Sequence, residues 1–159
     1  FGHHFAGLAD EYYTSSVAYE APAEIVEPYE PNVTALLDPD QLKWKHLVAP
    51  DTPLPTSWPK DVYEEHSLAY QERRRQMRAE NVREEQMNAL FHYTKEYVES
   101  LFEKSGQQGV IGAFEGANYQ AKGYYRSEQN CLMFTRTEAF CRVCSDAIEK
   151  VIDEYTLTE

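Results

Sequence analysis

The sequence predicts one domain built mainly of α-helix and loop. Three observations carry that expectation. Residues 61–104 contain neither Gly nor Pro and are rich in helix-forming types. Residues 138–155 place their apolar side chains on one helical face. All eight prolines fall between Pro22 and Pro59, and most glycines gather between Gly106 and Gly123, which punctuates the two remaining stretches against regular structure. A length of 159 residues suits a single domain.

Phe1–Ala6 reads as the end of a helix, with Phe5 turned inward. Gly7 is placed to stop it in a left-handed conformation. Tyr12–Pro59 is expected to be mostly irregular, and so long a proline-rich segment in a compact domain is usually functional. Within it Asp40–Val48 forms one short helix with Leu42 and Leu47 inward, and Trp44 and Trp58 are the buried anchors. Asn32-Val33-Thr34 has the form of an N-glycosylation acceptor, and chance occurrence is the better reading. In the second half of 61–104, Met87, Leu90, Phe91, Tyr97, Val98, Leu101 and Phe102 recur at helical spacing, and Ser105-Gly106 is the stop. Arg73, Arg74, Arg75 and Arg78, set among Glu72 and Glu80, read as a solvated, salt-bridged helical face. Residues 107–134 read as loop and turn, with Val110-Ile111 pairing briefly as a strand. The last helix runs from about Glu138 to Tyr155 with Thr135 or Thr137 as its cap. Its stripe includes Phe140, Val143, Cys144, Ala147, Ile148, Val151, Ile152 and Tyr155.

The formal charge of −12 argues against a nucleic-acid partner, because phosphate binding needs clustered Lys and Arg. Between Asp10 and Asp40 lie eight Asp or Glu and no Lys or Arg. That stretch reads as a solvated acidic surface, or as a surface for calcium or a cationic substrate. No apolar run approaches the about 20 residues of a membrane span. No signal peptide is visible, but a chain that starts inside a motif would not show one.

Chemistry is concentrated in Phe1–Tyr13, FGHHFAGLADEYY. A zinc helix carries His-Glu-x-x-His, with both histidines on one face and the Glu as general base. A His-Glu pair ahead of Phe1 would make His3 the second histidine of that motif, so the chain is expected to start inside it. The extended form of the motif places a Gly three residues after the second His and a third ligand three further on. Here Gly7 is four after His3 and Asp10 takes the place of the third ligand, with Glu11 as its competitor. Carboxylates are acceptable zinc ligands. The carboxylate left over would support a histidine ring through its other nitrogen. His4 points about 100° away around the helix and reads as a supporting or packing residue.

FGHHFAGLADEYY resembles the active-site stretch of the immunoglobulin A peptidase family, zinc metallopeptidases with the pattern HExxHxxxGLxDEY; Gly7, Leu8, Asp10, Glu11 and Tyr12 match it. Gly112–Phe134, GAFEGANYQAKGYYRSEQNCLMF, and Phe140–Cys144, FCRVC, are also similar to that family. A weaker likeness lies in Glu30–Thr34 and Lys43–Val48. Residues 57–105 carry no such likeness and read as a helical insertion. The resemblance implies an α+β, metzincin-like zincin catalytic domain, of which residues 1–159 are the C-terminal part, mainly helix and loop. It implies a zinc-dependent endopeptidase acting on a protein or peptide substrate, secreted or at the cell surface, with the catalytic Glu upstream of Phe1.

The resemblance further makes Met133 the hydrophobic floor of a turn beneath the metal, the alternative being an ordinary core Met. Tyr124 or Tyr125 is a weak candidate for stabilising an oxyanion. Arg126 binds a substrate carboxylate or pairs with Glu128. Cys131, Cys141 and Cys144 lack full zinc-finger spacing and any redox-site context. A disulfide from Cys131 to Cys141 or Cys144 is the favoured use in an exported protein, free buried thiols the alternative. The rival to an enzyme is a catalytically inactive binding or adhesion module. A third possibility is that Asp10, Glu11 and the acidic stretch hold calcium.

Overall fold

The structure, a computed structural model, describes residues 2–13, 24–135 and 137–156. It combines four α-helices with a small antiparallel sheet among the described residues. In chain order these are α1 (Gly2–Ala6), β1 (Val33–Thr34), α2 (Lys60–Ala79), α3 (Glu84–Ser105), β2 (Phe114–Ala117), β3 (Gln120–Arg126) and α4 (Arg142–Thr156). Short 3-10 turns at Pro39–Gln41 and Lys45–Leu47 stand where one short helix is expected. Leu42 and Trp44 are buried between them. None of the described helices is long and apolar enough to cross a membrane.

The irregular stretch before Pro59 is held by buried polar contacts. Lys43 Nζ donates to the carbonyls of Pro28, Glu30 (2.8 Å) and Val33 (2.7 Å) and lies 3.1 Å from the Glu27 carboxylate. Of the acidic stretch, Glu27 is thus paired with a lysine ammonium. Asn32 is wholly buried, so its acceptor motif is closed in the fold.

Residues 61–104 are helical as their pattern predicts, but they form two helices. The chain turns at Glu80–Arg83, where Asn81 adopts φ 49°. Asn tolerates that left-handed region better than most residues. Gly106 ends α3 at φ 70°.

The glycine-rich stretch yields the sheet. β3 lies between β1 and β2 and pairs antiparallel with both, while Val110-Ile111 is not a strand. A bulge interrupts the β2–β3 register between Glu115 and Ala117. Gly116 there has φ 104°, and a Cβ on it would lie 2.2 Å from the Tyr13 ring, so only glycine lets the two approach. The hairpin turns through Asn118 and Tyr119, at φ 52° and 63°. Two successive positive φ values are what a tight hairpin requires.

The core is aromatic. Tyr63, Trp58, Phe102 and Tyr13 surround Phe134. Arg126 is fully buried within it, with its guanidinium 3.7 Å from the Phe134 ring centroid and 4.3 Å from that of Trp58. It donates to the carbonyls of Gly116 (2.8 Å) and Gln129 (3.1 Å). It is therefore a structural cation stacked between rings, and neither reaches a substrate nor pairs with Glu128. Glu128 instead accepts from the Arg142 amide at 2.6 Å, at the start of α4. That corrects the cap as well: Cys141 Sγ and Glu128, rather than Thr135 or Thr137, meet the first amides of α4. The apolar stripe of α4 buries Val143, Cys144 and Ala147 but leaves Ile152 and Tyr155 exposed.

Candidate functional site

Gly7, at φ 62°, ends α1 and reverses the chain. The Leu8 carbonyl then comes within 2.7 Å of His3 Nδ1. A carbonyl only accepts, so Nδ1 carries a proton; when the ring is neutral, Nε2 therefore presents a lone pair. Nε2 lies 3.1 Å from Asp10 Oδ1. Two lone pairs facing at that distance repel unless a proton or a metal cation lies between them. In a tetrahedral zinc site with bonds of about 2.0–2.1 Å, neighbouring ligand atoms stand about 3.3 Å apart. The His3–Asp10 pair therefore fits two adjacent corners of such a site.

Asp10 is fixed from its other side. Tyr119 Oη donates to Asp10 Oδ2, and Tyr12 Oη is 3.3 Å from Tyr119 Oη. The hydrogen bond to Asp10 pushes the Tyr119 phenol well above its ordinary range. The backbone repeats the connection, with the Asn118 and Tyr119 amides donating to the Asp10 and Tyr12 carbonyls at 3.0 and 3.1 Å. A bulky residue in the left-handed region is strained, and here Tyr119 is held there by the loop it touches.

Met133 is buried under α1, where a Cβ on Gly2 would stand 3.2 Å from its sulfur. Its carbonyl accepts from the Glu11 amide at 2.8 Å, which ties the Met133 turn to the Asp10 loop. His3, Asp10, Tyr12 and Met133 line one cleft of about 420 Å³, to which Tyr70 and Arg74 of α2 also contribute. A second, apolar groove between α2 and α3 adjoins it, sharing Tyr12, Tyr70 and Phe134.

Other expected residues lie elsewhere. His4 is exposed and does not line the cleft. Alternation along β3 sends Tyr124 into a small core with Ala9, Val33 and Ala117, where its phenol donates to the Val26 carbonyl at 3.2 Å. Tyr125, on the other face of β3, does not line the cleft either. The phenol that does reach Asp10 is that of Tyr119, and Tyr12 stands behind it, its Oη 3.3 Å from the Tyr119 oxygen. Tyr12 stands in the DEY motif itself, whereas Tyr119 is found only through the hairpin that carries it.

Glu11 points away from the histidines. It is fully buried and accepts from Asn32 Nδ2 at 2.9 Å and Cys144 Sγ at 3.4 Å. Burial pushes its carboxyl up to about 8, against the pull of Asn32 and the Arg126 charge. Cys131, Cys141 and Cys144 are buried beside it as free thiols. Cys131 Sγ and Cys144 Sγ are 3.7 Å apart, far beyond a disulfide bond of about 2.05 Å, so the expected disulfide is not formed. Among the described residues, Glu11 and these cysteines are the one group of three or more His, Cys, Asp or Glu able to share a metal ion.

No curated protein matches the chain. The family model for IgA peptidase M64 matches residues 1–152. The chain therefore belongs to the IgA peptidase M64 family.

Proposed function

We propose that this chain carries part of the active site of a zinc-dependent endopeptidase with a metzincin-like catalytic domain. One observation supports the reading above the others: His3 Nε2 and Asp10 Oδ1 converge at 3.1 Å behind a helix-ending glycine. The family pattern adds a first His and a general-base Glu ahead of Phe1. Bound there, zinc supplies Lewis-acid polarisation of the scissile carbonyl and a water acidified toward pKa about 7.

The residues of this chain have separate tasks. His3 and Asp10 hold two coordination positions. The Leu8 carbonyl fixes the His3 tautomer, and Tyr119 fixes the rotation of the Asp10 carboxylate so that one oxygen stays free. Met133 gives the loop a packed floor. The apolar groove along α2 and α3 offers a path for an extended substrate beside the cleft.

The experiment is a fluorogenic peptide library with added zinc, run on the 159 residues and on the chain extended upstream through its His-Glu pair. Cleavage is expected from the extended chain only, because a missing base alone removes about 10²–10⁴-fold of rate. Glu→Gln in that upstream pair should abolish it. Chelator-sensitive cleavage by the 159 residues alone would overturn the ligand set. An extended chain that binds zinc and cleaves nothing would favour the binding or adhesion module.

A further inference from the structure

We propose that Glu11, Cys131, Cys141 and Cys144 form a second, buried metal site that takes zinc or a similar soft divalent cation and has a structural role. The four side chains lie on three separate segments: the loop after α1, the Met133 turn, and the start of α4. Their ligand atoms all fall within 4.8 Å of one another.

Two of the spacings match adjacent corners of a tetrahedron around zinc. With Zn–S of about 2.3 Å, two thiolates at adjacent corners are about 3.8 Å apart, and a sulfur and a carboxylate oxygen about 3.5 Å. Cys131 Sγ to Cys144 Sγ is 3.7 Å, and Cys144 Sγ to Glu11 Oε1 is 3.4 Å. A disulfide would need the two sulfurs about 1.7 Å closer, and would leave Cys141 and Glu11 buried without a purpose.

The surroundings suit thiolates. The Cys141 amide donates to Cys131 Sγ at 3.3 Å, the Met133 amide to the same sulfur at 3.5 Å, and the Cys144 amide to Cys141 Sγ at 3.5 Å. Cys141 and Cys144 sit at the N-terminus of the 15-residue α4, where the helix dipole favours negative charge. The buried Arg126 acts electrostatically on both Glu11 and Cys131. Three thiolates and a carboxylate around a divalent ion carry two net negative charges, and Arg126 with these amides offsets them. Glu11 Oε2, fully buried, has no hydrogen-bond partner among the described residues. On binding, each thiol releases its proton and the sulfur lone pair enters the metal bond.

The site would clamp the Asp10 loop to α4, one residue from the carboxylate that faces the cleft. It is sealed from solvent and has no open position, as structural zinc sites are.

The decisive measurements use the full-length protein carrying His3→Ala, so that retained metal cannot be assigned to the His3–Asp10 cleft. One equivalent of tightly held zinc is expected. Replacement by Co²⁺ should give a sulfur-to-cobalt charge-transfer band in the near ultraviolet, weakened by about a third per site in Cys131→Ser and Cys144→Ser and lost in the variant with all three cysteines replaced by Ser. Because either serine variant could unfold the protein, Glu11→Gln serves as a second probe. It keeps the side-chain volume and should retain the band while weakening metal affinity at least about 10-fold. Metal-loaded native protein should resist a thiol reagent until chelator and denaturant are added together. A cobalt spectrum with no thiolate band would overturn the proposal, as would three thiols titrating in a native protein that holds no metal. So would an intact mass lower by two hydrogens under non-reducing conditions, which would mark a Cys131–Cys144 disulfide.

Discussion

Asp10 and Glu11 are adjacent and differ by one methylene, yet they serve opposite sides of the chain. Asp10 faces a cleft, with a half-exposed histidine 3.1 Å away and a phenol on its second oxygen. Glu11 faces a sealed compartment of thiols, an amide and a distant guanidinium. In an extended segment successive side chains point to opposite faces, so one short loop feeds two environments. The contrast teaches that a carboxylate's role here is set by what the rest of the fold brings to it.

The contrast breaks most visibly at the ligands. His3→Ala and Asp10→Ala in the full-length protein should each reduce peptide hydrolysis to background. That loss exceeds the about 10–100-fold expected when only a supporting partner is removed. Compared without metal, both variants should stay within about 2 kcal/mol of the parent in urea unfolding, since His3 gives up its Leu8 and Asp10 contacts, and Asp10 gives up His3 and the Tyr119 hydrogen bond, at a partly exposed site. A variant that loses activity only by unfolding would erase the distinction between the two sides.

Glu11→Ala should show the reverse pattern. It strips Asn32 of one acceptor and leaves Cys144 facing a void, which costs about 1–3 kcal/mol of stability. Activity per folded molecule should fall less than for Asp10→Ala. If turnover collapses while the unfolding midpoint holds, Glu11 belongs to the cleft chemistry and the division is wrong.

A smaller effect sharpens the cleft side. Tyr119→Phe deletes one hydrogen bond to Asp10 and should lower turnover or zinc affinity about 10-fold with little change in melting temperature. Tyr124→Phe, whose phenol donates to the Val26 carbonyl at 3.2 Å, away from Asp10, is the matched control. Equal effects from the two would remove the special position of Tyr119.

The sequence shows one side of this contrast far better than the other. Gly7 and Asp10 could be read in order along thirteen residues, because the turn that joins them is local. So could the stop at Gly106 and the helical character of 61–104. The helix break at Asn81 leaves little trace in the sequence, because neither Gly nor Pro marks it and a single Asn in a charged stretch is a weak signal. The β2–β3 hairpin was hidden for the opposite reason. Its glycines read as loop, whereas Gly116 makes room for Tyr13 within a strand. Arg126 reads in the sequence as a substrate-carboxylate binder or a partner of Glu128, since no local pattern announces rings drawn from Trp58 and Phe134. The thiol compartment lay furthest out of reach. Cys141 and Cys144 advertise a helical turn, but the carboxylate that completes the group is 133 residues from Cys144.

The hairpin contact on Asp10 also sets a schedule. Asp10 and Tyr119 are 109 residues apart. At about 5–20 residues per second of synthesis, the histidine loop waits about 5–20 s in the nascent chain before its phenol exists. Until then the Asp10 carboxylate is free to rotate. On the function proposed above, a cleft finished by the chain's own later residues is slow to arm, and the unfinished chain is spared from its own chemistry while it is being made.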